Sequence, residues 1–359
     1  MNRMAIQGVG VVGGFGCGIA DLEDRLEKGG AEPTELAVTA GGEEVSFLAF
    51  QADPSPLERF LNKRQTRRID HFSKMALLGA HLALEDAGAL DAPRDRMGVV
   101  IATGYGPTRT TFAFLDSVLE DGDAFASPTH FSNSVHNAAA AHVAIQLKAT
   151  GPSLTVSQFG MSVASALLTA RQWLAEGRVH SVLFGAVDEV CAVLGYCWDS
   201  FFPGSGGPIE PFVFDRQTAV PGEGAAFFLL TRDEQARYGH VSRLDQGRIR
   251  PQMFSGGTWL LNADGHRACS VSYRDILTGA ACVAASTPCF GSLPVGQGFD
   301  LAVAALAVRN GRLPATSGAG QLPGDWRSAG GMVLEGLSCL KCDGDGNFGL
   351  IEVERNFRA

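Results

Sequence analysis

The sequence predicts an α/β protein made of two consecutive halves. Three observations carry this. Short apolar runs, Met97–Thr103 and Ser181–Val187 above all, have the length and β-branched content of strands buried on both faces. Segments with apolar residues at helical spacing, such as Phe72–Gly88 and Phe299–Arg309, fall between such runs. The alternation occurs on both sides of residue 235, as expected of strands and covering helices packed in layers. The 45 glycines among 359 residues fit many tight strand–helix turns.

Composition narrows the function. With 45% hydrophobic and 19% charged residues, the chain can bury a large core. Its net charge of −9 and the lack of a sustained basic run argue against nucleic acid as a partner. The apolar stretches are interrupted before the length a membrane span needs. Met1-Asn2-Arg3-Met4 leads into a Gly-rich strand rather than a signal-peptide core. The eight cysteines form no paired framework, which suggests reduced thiols and a cytoplasmic protein. Cys339 and Cys342 make one C-x-x-C with no second pair or His at zinc spacing, so they read as core or turn residues. No metal or cofactor is expected.

Taken in order, residues 4–12 are a strand, Gly13–Gly16 a turn and Ile19–Lys28 a helix. Gly8, Gly10 and Gly13 match G-x-G-x-x-G. Two of them lie inside the strand, however, and no acidic residue closes a second strand at the right distance, so the dinucleotide reading fails. Residues 30–62 carry few periodic signals. Arg64, Arg67, Arg68 and Lys74 lead into the helix Phe72–Gly88, and read either as a steering surface for an acidic partner or as a solvated helix face. After the strand Met97–Thr103 comes a helix, Phe112–Leu119. His130–His142 follows, where His136 and His142 lack the i, i+4 spacing of metal ligands and read as structural. The Ala run 138–141 permits close helix packing. Ser181–Val187 is a strand ending at Asp188-Glu189, 203–208 a surface loop, and Ala225–Leu230 a strand. Beyond Gly239 the expected strands are Trp259–Asn262, Ala281–Ala285 and Asn347–Val353. The helix Phe299–Arg309 is stopped by Gly311 and Pro314.

Residues 151–170 bear the most chemistry. Leu154–Ser157 reads as a short buried strand, Gln158, Phe159, Gly160, Met161 and Ser162 as a tight turn, and Val163 onward as a helix with Ala166, Leu167, Ala170, Trp173 and Leu174 on its apolar face. A strand that turns sharply into a helix presents the turn residue to free N–H groups and the positive end of the helix dipole. Enzymes place a Ser or Cys nucleophile at such an elbow. Here Ser162 is the only hydroxyl in the turn, and no Cys lies within it.

Several segments together resemble the β-ketoacyl-acyl carrier protein synthases of the thiolase fold. They are Phe131-Ser-Asn-Ser-Val-His-Asn, Gly151-Pro-Ser-Leu-Thr-Val-Ser, Phe214-Asp-Arg before Gly222-Glu-Gly-Ala-Ala, Leu261-Asn-Ala-Asp-Gly, Ser286-Thr-Pro-Cys-Phe-Gly-Ser292, and Leu306 to Thr316. The resemblance covers most of the chain. It implies two similar βαβαβαββ halves, 1–235 and a shortened 236–359, forming a five-layered α-β-α-β-α core. It also implies a nucleophilic Cys that takes an acyl group from a carrier thioester, and two His that assist malonyl decarboxylation.

Each catalytic position is altered. The Cys position falls on Gly160, the His positions on Asp264 and Ser292, and the supporting Lys on Pro288. The Gly-Phe-Gly-Gly-Thr-Asn loop falls on Cys342–Asn347, and the segment between Gln252 and Trp259 is shorter than in the enzymes. Gly160 cannot hold an acyl group. Asp264, anionic at pH 7 unless its pKa is raised, would repel a developing enolate, and Ser292 cannot carry charge. Cys289 and His266 are the nearby candidates to replace the lost groups.

The resemblance is therefore to a chain length factor. Such a protein lacks the nucleophile, pairs with an active ketosynthase that works with acyl carrier protein, and shapes the tunnel limiting acyl, polyketide or polyene length. The strand Leu154–Ser157 and the stretch His130–Ala141, with His136, would lie at the partner interface. Phe112, Phe114, Phe131 and Met161 would line the tunnel; the plainer alternative for them is core packing. Two other functions remain open: a condensing enzyme or malonyl decarboxylase recruiting Ser162 or Cys289, and a homodimeric module that binds an acyl group or carrier protein.

Overall fold

The computed structural model describes residues 3–40, 43–202, 207–279, 281–314 and 322–356. Its framework is two sets of five strands. The first comprises β1 (Met4–Gly13), β2 (Met97–Thr103), β3 (Ser153–Ser157), β4 (Ser181–Asp188) and β5 (Gly224–Thr231). The second comprises β6 (His240–Arg248), β7 (Thr258–Leu261), β8 (Cys282–Ala284), β9 (Gly336–Cys342) and β10 (Asn347–Glu354). In space they run β1-β5-β4-β2-β3 and β6-β10-β9-β7-β8, the same order strand for strand. In each set the first, fifth and fourth strands are antiparallel neighbours, while the fourth, second and third are parallel. The sets join where β1 pairs β6, Met4 opposite Val241 and Ala5 opposite His240.

The α-helices of six residues or more among the described residues are α1 (Ile19–Glu27), α2 (His71–Asp86), α3 (Thr108–Asp121), α4 (Pro128–Asn133), α5 (Ala138–Leu147), α6 (Ser162–Ala175), α7 (Ala192–Phe201), α8 (Arg267–Ile276) and α9 (Gly296–Asn310). A parallel β–β connection needs a crossover, and α6 after β3 and α9 after β8 provide it. Both pack against strands of both sets, so they form the middle layer. There α6 contributes Val163, Ala166, Leu167 and Trp173 to the largest apolar cluster, and α9 contributes Phe299 to Val308 apart from Asp300. Outside the first set lie α2 and α5; outside the second, α8.

Local sequence explains the close fits. Asp70 caps α2 by accepting a hydrogen bond from the Ser73 N–H at 3.1 Å. A Cβ at Gly8 or Gly10 would come within 2.2 Å of the carbonyl oxygen of Ala83 or Gly79, so these glycines let α2 lie directly on β1. The glycine pattern is a packing motif rather than a nucleotide cradle. Gly311, with φ +70°, ends α9 in the left-handed conformation.

The structure differs from expectation in four places. Thr34–Ala40 and Glu43–Ala49 form an antiparallel hairpin, where only weak signals were expected. β3 is an edge strand, not a buried one: among the described residues β2 is its only neighbour, its outer edge is unpaired, and Leu154 is 40% exposed. α3 runs from Thr108 to Asp121, well beyond the expected Phe112–Leu119. In the second half β6, β9 and α8 join the expected elements. No helix spans 249–257, where Phe254–Ser255 only bridges to Leu277–Thr278. The outer layer there is correspondingly thin. Residues 203–206 of the expected surface loop and Ala315-Thr316 of the last matching segment lie outside the described residues. Among the described residues, no helix is long and apolar enough to cross a membrane.

Candidate functional site

β3 runs into a single 3-10 turn, Phe159–Met161, and straight on into α6. The turn is forced: Phe159 has φ +49°, a left-handed conformation that costs a bulky residue energy. Ser162 braces it. Its Oγ accepts from the Gln158 N–H at 2.8 Å, and its one hydrogen is shared between the carbonyl oxygens of Thr103 and Phe159, 2.9 and 2.8 Å away. Ser162 is thus a structural residue of the elbow and no free nucleophile. Gly160 is at the apex. A Cβ there would lie 3.2 Å from Asp343 Cβ and 3.4 Å from Lys341 Cε, so space for a small side chain exists.

A cavity of 820 Å³ opens before the apex. Tyr105, Phe159, Trp198, Phe201 and Phe202 give it aromatic walls, and Asp264, His266, Ser292 and Lys341 line it as well. Three of the four altered positions, Gly160, Asp264 and Ser292, therefore converge. Pro288 does not. It sits in the turn Thr287–Cys289, where its carbonyl accepts from the Ala31 N–H at 3.0 Å. Cys289 is buried in the core, and burial pushes its thiol up to about 12, so it supplies no thiolate. Of the expected tunnel residues only Met161 lines this cavity. Phe114 and Phe131 pack together with ring centroids 5.4 Å apart, and Phe131 is exposed, as is His136. His142 Nε2 donates to Asn133 Oδ1, 3.0 Å away. Arg64, Arg67 and Arg68 are exposed and Lys74 is half-buried.

The polar groups form a connected set. Ser292 Oγ lies 2.8 Å from Asp264 Oδ2 and 3.0 Å from His266 Nδ1. Asp264 Oδ1 accepts from the His266 N–H at 3.2 Å and lies 3.4 Å from His266 Nδ1. Burial alone would raise the pKa of Asp264. The His266 ring, the Lys341 charge and the Ser292 hydroxyl outweigh it and hold this carboxyl well below the usual carboxylate range. Trp198 and Phe202 meet the His266 ring edge-on, with centroids 5.0 and 4.6 Å away.

Lys341 was not expected here. It is buried on β9, and its ammonium donates to Asn262 Oδ1 and, at 3.4 Å, to the Leu293 carbonyl. Asn262 Nδ2 and Ser286 Oγ each donate to Asp300 at 2.6 Å; burial nonetheless pushes Asp300 up to about 7. The signal was present, since a Lys inside the apolar run Leu337-Ser-Cys-Leu-Lys-Cys342 is rarely buried without a partner. Asp343 is spent on its own loop, accepting from the Asp345 and Asn347 N–H groups at 3.0 and 2.8 Å and from Asn347 Nδ2 at 2.9 Å. Cys269 and Cys342 also line the cavity, but burial pushes Cys269 up to about 12 and Cys342 well above its ordinary value. Among the described residues, no group of His, Cys, Asp or Glu is arranged to hold a metal.

A doubled five-strand unit, with a middle layer of two crossover helices and an elbow opening on a cavity, is the thiolase-like fold that ketosynthases share. The profile for the β-ketoacyl synthase N-terminal domain matches residues 9–236, and the chain belongs to the β-ketoacyl synthase family. It is 31% identical over 254 residues to a putative polyketide beta-ketoacyl synthase 1 of Streptomyces virginiae, covering 66% of this chain and 59% of that protein. It is 28% identical over 251 residues to the tetracenomycin polyketide synthase ketoacyl synthase alpha subunit of Streptomyces glaucescens, again covering 66% and 59%. The chain thus spans about three fifths of the length of these curated relatives. Among solved structures it is similar to the ishigamide ketosynthase/chain length factor, with TM-score 0.79 and 17% identity over 98% of this chain and 99% of that one. It is equally similar to a ketosynthase (ApeO) in complex with its chain length factor (ApeC) from Xenorhabdus doucetiae, with TM-score 0.79 and 15% identity over 98% of each chain. At these identities the structural likeness establishes the fold.

Proposed function

We propose that this chain is a non-catalytic ketosynthase-family subunit, similar to a chain length factor, that pairs with an active β-ketoacyl-acyl carrier protein synthase. One observation carries the reading: the elbow is fully built and opens on a ligand-sized cavity, yet its apex is Gly160. An ionised Asp264 occupies a position where the enzymes hold a donor to the thioester carbonyl, and it opposes enolate formation. Ser162 and Cys289, the candidate replacement nucleophiles, are a structural brace and a core thiol.

The free edge of β3 supports the partner. Leu154 on that strand and Ile145 on the adjacent α5 are exposed apolar residues, as are Leu115 and Leu119 on α3 and Phe131 on α4. A ketosynthase whose own edge strand pairs there would cover them. Arg64, Arg67 and Arg68 suit an acidic carrier protein at the same subunit. Phe114 packs on Phe131, and replacement of Phe112 or Phe114 by Ala in the heterodimer is expected to lengthen products. Unchanged product length would remove them from the tunnel. The working division is 1–235 and 236–359, between β5 and β6, in a cytoplasmic protein.

The test is intact-protein mass spectrometry of this chain, alone and with a candidate ketosynthase, after exposure to acyl- and malonyl-loaded carrier protein. The expected result is an acylated partner and an unmodified chain that co-purifies with it. An acyl adduct on this chain alone would return it to the condensing enzymes. A stable homodimer with no affinity for a ketosynthase would make it a homodimeric binding module.

A further inference from the structure

Three carboxyls are buried at the end of β4 and just before β5: Asp188, Glu189 and Glu223. Two of them are well supplied with donors. Asp188 Oδ1 accepts from Thr103 Oγ1, the Gly104 N–H and the Tyr105 N–H at 2.7, 2.9 and 2.8 Å. Glu223 Oε1 accepts from the Ala52 N–H at 3.1 Å and from His71 Nε2 at 3.0 Å. Its Oε2 accepts from Arg109 Nη2 at 2.9 Å and from the Val190 N–H at 3.0 Å. Glu189 differs. Its Oε1 accepts from the Arg109 N–H at 2.7 Å, but its Oε2 is buried with no hydrogen-bond partner among the described residues. Arg109 Nε stands 3.9 Å from that oxygen and donates instead to the Val190 carbonyl at 2.8 Å.

An ionised Glu189 would hold a charged oxygen away from water without a donor, which is costly. Its neighbours add to the cost. Asp70 at the cap of α2 and Glu223 both repel a charge there, and Asp70 Oδ1 is itself buried without a partner among the described residues. Arg109 on α3 opposes them but is already paired with Glu223. Asp188, His71 and His142, on neighbouring elements, are engaged with 103–105, Glu223 and Asn133 respectively.

The bond that Glu189 does accept holds the root of a projecting arm. Residues 108–133 run out through α3 and back through α4. Of the two helices only Thr110 and Asn133 are buried, and no residue of 108–133 belongs to an apolar cluster of the core. At the returning end Asn133 Nδ2 donates to the Arg68 carbonyl at 2.8 Å. At the root Arg109 ties the arm down, by its N–H to Glu189 and by its side chain to Glu223 and the Val190 carbonyl. With so little apolar contact, the seating of the arm depends on these polar ties.

We infer that Glu189 is a proton-held latch for this arm. With its proton, the carboxyl stays buried against the Arg109 N–H and the arm is seated. When the proton passes to water, the carboxylate takes up hydration and the root opens; no other covalent bond is made or broken. Burial pushes Glu189 from 4.5 up to about 8, against the Arg109 N–H and charge, so release falls just above neutral pH. A value raised in the seated state gives stability that is complete below the value of the free group and is lost as pH rises through about 8. The latch needs neither a partner nor condensation, so it stands apart from the non-catalytic reading.

The experiment is hydrogen–deuterium exchange of the full chain at about pH 7 and about pH 9, read by mass spectrometry and corrected for the intrinsic pH dependence of amide exchange. The opening equilibrium of 108–133 is expected to rise about tenfold between the two, as follows for a carboxyl that titrates near 8 when seated and near its ordinary value when hydrated. Helix α9, buried from Gly296 to Val308, is the reference and should stay protected at both. Glu189→Gln keeps an acceptor for the Arg109 N–H and cannot ionise, so its arm should exchange alike at both pH values. Equal exchange of the unaltered arm at the two pH values would overturn the latch. So would a rise that survives in Glu189→Gln, or one shared equally with α9. The first comparison needs no variant to fold.

Discussion

The two halves share strand order and strand direction, but they bury their crossover helices differently. In α9 every residue from Gly296 to Val308 is buried. In α6 the burial is one-sided: Val163, Ala166, Leu167 and Ala170 face the core, while Ser165, Leu168 and Thr169 are only half-covered. The second half is also the one whose outer layer is reduced to α8, and it contributes Asp264, His266, Ser292 and Lys341 to the cavity. The first half contributes the elbow, with Gly160 at its apex. On the proposed reading, the altered polar positions therefore fall in the half with the thinner covering layer, whose inner helix is the more deeply enclosed.

Truncation in the inner layer is the strongest way to test that asymmetry. Phe299 on α9 is fully buried, stacks on Phe290 at 4.8 Å and meets Phe15 edge-on at 6.1 Å. Phe299→Ala is expected to cost about 3–5 kcal/mol in urea unfolding. Leu168→Ala on the half-covered side of α6 is expected to cost less than half as much. Equal losses would show that the difference in enclosure has no energetic weight.

Buried carboxyls give a pH-dependent form of the same comparison. Glu189, at the end of β4, is pushed up from 4.5 to about 8, by burial in the first place, against the Arg109 N–H that reaches its Oε1 at 2.7 Å. Asp300, in the second half, is pushed up from 3.8 to about 7. A raised folded-state pKa gives stability that is complete below the unfolded value and lost as pH rises through the folded value. Stability is therefore expected to fall on the order of a few kcal/mol between about pH 4.5 and 8. Glu189→Gln stays neutral throughout and should flatten the part above about pH 7, leaving the part owed to Asp300 below it. An unaltered slope above pH 7 would mean that Glu189 is ionised in the folded protein at neutral pH.

Most of the inner framework was legible in the sequence, and the reason is periodicity. β2, β4 and β5 are continuous apolar runs because both faces are covered, and α2 and α9 are bounded by a capping Asp70 and a stopping Gly311. β6, His-Val-Ser-Arg-Leu-Asp-Gln-Gly-Arg, was not, because its polar alternation reflects a partly solvated strand. β3 reads as a buried strand since Leu-Thr-Val is apolar enough for a core, although its outer edge has no neighbour among the described residues. Motif alignment points to Gly160, Asp264 and Ser292, which the structure brings together at one cavity, and to Pro288, which lies elsewhere. Lys341 shows locally only as a lysine inside an apolar run; its partners, Asn262 and Leu293, approach from other segments and no local pattern identifies them.

The single missing side chain of the first half can be restored. Gly160→Cys places a Cβ 3.2 Å from Asp343 Cβ, which asks the loop to give by a few tenths of an ångström, so the change in stability is expected to stay within about 1 kcal/mol. The new thiol would stand at a helix N-terminus beside the Lys341 side chain, an environment that favours thiolate. It should react with iodoacetamide faster than Cys269 and Cys289, both pushed up to about 12 by burial, as peptide mapping would show. Condensation should remain absent, because Asp264 and Ser292 are unchanged. Condensing activity in Gly160→Cys would show that the second half had kept its function after all.

The smallest effect on folding is expected at the exposed face, and there the two halves should part completely. Ile145 on α5 is 68% exposed and Val333 in the second half 81% exposed. A lysine at either position is solvated in the isolated chain, so Ile145→Lys and Val333→Lys should each change stability by no more than about 0.5 kcal/mol. Binding is another matter. If the edge of β3 and its surrounding apolar residues are covered by a ketosynthase, Ile145→Lys would bring an unpaired charge into a desolvated contact and co-purification should be lost. Val333→Lys, away from β3 in sequence and on the reduced half, should leave capture intact. Loss of the partner with both variants, or with neither, would place the interface elsewhere on the molecule.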